Sequence, residues 1–176
     1  MSDLAELYER NASFAEGFDL SHLPIRPNLS TVILTCVDAR LDPARFAGLE
    51  PGDAFVLRSA GARVTEAVAL EVALLWRLLS MASGGPPSIE LVIIQHTDCG
   101  MARFADPEVA PRITEHFGTG AVVDTYAIAD PVESMALDIE RLRANAFVPD
   151  ELTVSGHLYD VATGRLSVAV ETAPLR

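Results

Sequence analysis

Thr31-Val-Ile-Leu-Thr-Cys36-Val-Asp38-Ala-Arg40 is the stretch on which the fold turns. Its first six residues are apolar or β-branched and show no polar alternation. Such a run reads as a strand covered on both faces, the condition of a parallel sheet. Residues 54–57 and 89–95 read as two more strands, the latter apolar without a break from Leu91 to Ile94. Helical segments fall between them. Residues 42–48 have Asp42 as N-cap, Pro43 in first position and Gly48 as stop. Residues 64–82 form the longest helix, ended by Gly84, Gly85 and two prolines.

Residues 101–118 read as one or two short helices punctuated by Pro107 and Pro111, and 131–145 as a charged helix opening on Pro131. At the start, residues 3–18 form an amphipathic helix with Leu4, Leu7, Phe14 and Phe18 on one side. An extended connector with Pro24 and Pro27 follows it. At the end, 151–159 and 165–170 pair across a turn at Ala162-Thr-Gly164 as a hairpin. Strands alternating with helices imply an α/β fold, a mostly parallel central sheet with helices on both faces. Neither repeat nor linker divides the chain, so residues 1–176 are expected to form a single domain.

Composition narrows the partners. Thirteen basic residues, all arginine, face 25 acidic ones, for a net charge of −12. That balance argues against nucleic acid and against an anionic membrane surface. The apolar stretch from Val64 to Ser83 is broken by Glu66, Glu71 and Arg77, which suits a buried helix and not a membrane span. The opening MSDLAELYER has no basic, apolar leader, so a reducing cytoplasm is the expected compartment. Two cysteines are too few for a disulfide scaffold.

Both cysteines fall at strand C-termini, where open parallel sheets bind ligands. Cys99 also belongs to His96-Thr-Asp-Cys99, and a helical turn there would bring His96 and Cys99 together. Two thiolates and an imidazole are a soft set suited to zinc, and three protein ligands leave a fourth position open. The plain alternative is two core cysteines and an incidental histidine. If the first strand stays extended, Cys36, Asp38 and Arg40 share a face. Asp38 then either takes the fourth position itself or is held back from it by Arg40 through a bidentate pair. The alternative is an ordinary ion pair.

Cys36-Val-Asp38-Ala-Arg40 with His96-Thr-Asp-Cys99-Gly100 resembles the signature of the β-class carbonic anhydrases. Val56-Leu-Arg58-Ser-Ala-Gly61 and Val154-Ser-Gly156-His-Leu-Tyr159-Asp160 resemble further segments of that family, in its order. The resemblance implies Zn2+ on Cys36, His96 and Cys99, with Asp38 and Arg40 as catalytic dyad and Asp38 as fourth ligand in a closed state. It implies reversible hydration of carbon dioxide to bicarbonate and a proton. It also implies a homodimer built partly with the N-terminal helix, with a tetramer of paired dimers as the alternative assembly. Ser59 departs from the family's usual Asn, and Gln95 from its usual Gly or His. Enzymes hydrolysing carbonyl sulfide or carbon disulfide look alike at the metal, and a non-catalytic zinc-binding homologue is a third reading.

Five smaller expectations remain open at this level. Asp98 caps the following helix. Residues 59–61 supply backbone donors to the site or simply form a tight turn. Arg58 makes structural contacts at the sheet edge or a dimer interface. His22, His116 and His157 carry no assigned role, and Trp76 with its neighbouring leucines belongs to a core or an interface.

Overall fold

The computed structural model describes residues 3–176. Five strands form one sheet in the order β2-β1-β3-β4-β5: β1 (Thr31–Cys36), β2 (Phe55–Ser59), β3 (Glu90–His96), β4 (Thr153–Asp160) and β5 (Arg165–Pro174). Strands β2, β1, β3 and β4 are parallel, with Leu34 level with Leu57 on one side and Ile93 on the other. Only β5 is antiparallel. The mostly parallel α/β sheet expected from the sequence is therefore present. β1 is covered on both sides by neighbours and five of its six residues are buried, which explains its unbroken apolar run.

Helices α1 (Asp3–Glu16), α2 (Pro43–Phe46), α3 (Glu66–Ser83), α4 (Ala110–Phe117), α5 (Ala121–Tyr126) and α6 (Pro131–Ala144) complete the chain. The main core lies where α3 (Val68, Val72, Leu79) and α6 (Met135, Ile139, Leu142) meet Val32, Leu34, Leu91 and Ile93 of the sheet. Side-chain caps start α2, α3 and α6, of which only the Asp42 cap is expected from the sequence. Asp42, Thr65 and Asp130 accept from the backbone N–H of Ala44, Val68 and Glu133, and Gly84 closes α3 in the left-handed region.

The differences from expectation have local causes. The single or double helix at 101–118 is a 3-10 turn at Gly100–Ala105 followed by α4. The short α5, rich in β-branched residues that favour strands, gave no helical signal. β5 runs to Pro174 instead of 170, because an edge strand tolerates a proline that donates nothing. α1 ends at Glu16, and Leu4, Leu7, Tyr8 and Phe14 on it are all more than half exposed. Among the described residues no helix is long and apolar enough to cross a membrane.

Candidate metal centre

β1 sends the chain to one side of the sheet, towards β2, and β3 sends it to the other, towards β4. The crevice between their C-terminal ends is thus the switch point where α/β sheets hold ligands. Cys36 ends β1, His96 ends β3, and Cys99 follows in the loop. All three are buried, and their donor atoms lie within 4.8 Å of one another. His96 Nδ1 lies 2.9 Å from the Thr97 carbonyl oxygen, which can only accept, so Nδ1 carries the proton. Nε2 is then a bare lone pair, buried and without a hydrogen-bond partner among the described residues. An orphaned imidazole nitrogen beside two sulfurs is what a soft metal ion would satisfy, so the residues present fit zinc.

Cys36 is prepared as a thiolate. Its Sγ takes the hydrogen bond of the Cys99 thiol, and the backbone N–H groups of Asp38 (3.4 Å) and Gly61 (3.3 Å) add to it. Together they hold the Cys36 thiol far below its usual range. Cys99 is pushed up because it supplies the shared proton, and burial adds to the effect.

Asp38 and Arg40 come together differently from the extended strand expected. β1 stops at Cys36, and Leu41 N–H bonds back to the Asp38 carbonyl at 3.0 Å, closing a turn. Asp38 Oδ1 accepts both the backbone N–H (2.9 Å) and Nε (3.0 Å) of Arg40, and Oδ2 accepts Nη2 at 2.8 Å. This bidentate grip keeps the Asp38 carboxyl well below the ordinary carboxylate range. Oδ2 stands 3.9 Å from His96 Nε2. The carboxylate is therefore held by arginine at the edge of the three-donor pocket.

The second motif also converges by another route. No helical turn joins His96 to Cys99; Asp98 instead takes φ +55°, a left-handed residue that reverses the chain. Nor does Asp98 cap the next turn. Cys99 holds that position without a side-chain bond, and the Asp98 carboxylate turns to Arg40.

Residues 59–61 prove to be both turn and donor. Gly61 adopts φ +67° while its N–H points at Cys36 Sγ, and the Ser59 hydroxyl donates to the Arg63 carbonyl at 2.9 Å. Arg58 reaches across from β2 and donates to the carbonyl oxygens of Cys36 (3.0 Å), Asp38 (2.7 Å) and Leu41 (2.6 Å). It shapes the loop carrying the dyad, a role that required knowing β2 lies beside β1. Gln95 is fully buried with its amide unpaired among the described residues.

Sequence reasoning missed the apolar wall. Leu41 and Ile128 are buried with the two cysteines, and Phe46, Met101, Tyr159 and Val161 pack against them. Phe46 and Tyr159 stack with ring centroids 4.5 Å apart. Ile128 lies in a loop far along the chain, so no local pattern marked it.

A carbonic anhydrase family profile matches residues 31–119. The β-carbonic anhydrase 1 of Mycobacterium tuberculosis is 34% identical over 157 residues, spanning 89% of this chain and 91% of the relative. A carbon disulfide hydrolase of an Acidianus species is 28% identical over 162 residues, spanning 76% of this chain and 74% of its own. Among solved structures, a carbonic anhydrase from Streptococcus mutans superposes with a TM-score of 0.77 at 31% identity, covering 96% of this chain and 98% of its own. With the family's profile over half of the chain and its relatives over nearly all of it, this chain belongs to the β-carbonic anhydrases.

Proposed function

We propose that the protein catalyses the zinc-dependent reversible hydration of carbon dioxide to bicarbonate and a proton. The observation that carries the reading is the Arg40-held Asp38 carboxylate, 3.9 Å from the unpaired Nε2 of His96. In this reading Cys36, His96 and Cys99 hold zinc, which when bound makes water a competent nucleophile near neutral pH. Asp38, kept ionised by Arg40, accepts a hydrogen bond from the attacking water and orients it. Released from Arg40, the same carboxylate is the natural fourth ligand of a closed state. The wall of Leu41, Ile128 and Met101 offers a dry surface to a small neutral molecule, which the chain's charge of −12 does not repel.

Two thiolates donate more charge than imidazoles, which raises the pKa of the activated water. Asp38 is already ionised well below neutrality. Hydration measured by stopped flow on zinc-loaded protein is therefore expected to rise with pH into the alkaline range, and to be lost in Cys36→Ser and Asp38→Ala. A flat profile, or no hydration at alkaline pH, defeats the proposal. The carbon disulfide hydrolases among the relatives favour a second reading, hydrolysis of carbon disulfide or carbonyl sulfide. Release of sulfide from either, without carbon dioxide hydration, decides for it.

The working unit we propose is a cytoplasmic homodimer. α1 leaves Leu4, Leu7 and Phe14 uncovered, and an apolar face of that kind is stabilised by burial on a second copy. Light scattering at micromolar concentration is expected to give twice the chain mass. Removal of residues 1–18 is expected to weaken that association, and a monomeric full-length chain would contradict it.

A further inference from the structure

Arg40 is more than the partner of Asp38. Its guanidinium makes four side-chain hydrogen bonds, and only two of them go to Asp38. The other two cross to the second ligand loop: Nη1 donates to Asp98 Oδ2 at 2.8 Å and Nη2 to the Asp98 carbonyl oxygen at 2.9 Å. Asp98 sits between His96 and Cys99. Arg40 therefore ties the loop that follows Cys36 at the end of β1 to the loop that follows His96 at the end of β3 and carries Cys99. We infer that Asp98 is a positioning residue: its carboxylate anchors Arg40 independently of Asp38 and so fixes the spacing of the two metal-binding loops. This rests on the reading of the site as a zinc centre.

Three features support the assignment. Asp98 holds φ +55°, a conformation in which Asn or Gly is at least as well accommodated, so local backbone preference does not account for aspartate. Its side chain is 78% exposed and caps nothing, so burial does not account for it either. Among the described residues, the partner of its carboxylate is Arg40. A guanidinium gripped at both edges also keeps its place when either carboxylate lets go. Asp38 can then leave Arg40 without the arginine following it or collapsing into the pocket.

The test compares zinc release to a chromophoric chelator in wild type, Asp98→Asn, Asp98→Gly, Arg40→Met and Asp98→Asn/Arg40→Met. Asp98→Asn and Asp98→Gly retain the left-handed backbone and lose the charge. Both are expected to release zinc about threefold faster, the range of a solvent-exposed ion pair. In the Arg40→Met background the same substitution is expected to add nothing, because the two residues act as one contact. Exchange of the Arg40 Nε–H proton, followed by NMR in zinc-free protein, is expected to quicken in Asp98→Asn and reports the anchor without the metal. Wild-type release and exchange rates in Asp98→Asn would overturn the inference. So would an acceleration that persists undiminished without Arg40. Failure of wild type to bind zinc would overturn the metal reading instead, and would be seen before any variant is compared.

Discussion

Asp138→Asn is expected to lower stability by about 3–5 kcal/mol, the cost of leaving a buried charge without its partner. Asp138 is wholly buried on α6. Its Oδ2 accepts Arg63 Nε at 2.8 Å and its Oδ1 accepts Arg141 Nη1 at 2.8 Å. Burial pushes its carboxyl above the ordinary range even with Arg63 beside it. Arg141 is a third exposed and can turn to solvent, but Arg63 cannot, because its guanidinium is buried and its Nη1 is committed to the Ala127 carbonyl. Asparagine keeps the volume and removes the compensating charge. The urea midpoint reads the loss, and a change below about 0.5 kcal/mol would contradict it. Replacing both partners, as Arg63→Met with Asp138→Leu, is expected to recover much of the stability, since well-packed apolar pairs substitute for buried ion pairs.

Gly61→Ala is expected to cost about 2–4 kcal/mol, from left-handed strain together with overpacking. A Cβ there would stand 2.7 Å from Ile128 Cδ1 and 3.1 Å from Met101 Cγ. Relief of that clash must move the Gly61 N–H off Cys36 Sγ, so weaker zinc retention should accompany the loss. Gly84→Ala supplies the comparison: its φ is +71°, but nothing lies within 4 Å, so it should cost only the strain, about 1 kcal/mol. Equal urea midpoints for the two variants would remove the steric argument.

How much of this was legible in the sequence depended on range. β1 and β3 declared themselves because burial on both faces leaves each with an unbroken apolar centre, Val32–Leu34 and Leu91–Ile94. The three residues able to hold a metal and the Asp38–Arg40 pair stood out as motifs, although the geometry that joins them did not: a turn after Cys36 and a left-handed Asp98 replaced the extended strand and the helical turn. The Arg63–Asp138 pair spans 75 residues and left one trace. Asp138 falls on the helix face of Met135, Ile139 and Leu142, and a carboxylate on an apolar stripe signals a buried cation elsewhere. Ile128 left none, because a loop residue acquires its neighbours only when the sheet is assembled.

Arg58 has a consequence for how this loop can vary. It grips three carbonyl oxygens, and every amino acid has one. The loop's shape is thus written into β2, and the side chains at Val37 and Ala39 are not needed to maintain it. Val37 is more than half exposed. These two positions form a tolerant rim around an intolerant centre, where residue identity can drift or be engineered while the Asp38–Arg40 pair that alternates with them keeps its aim.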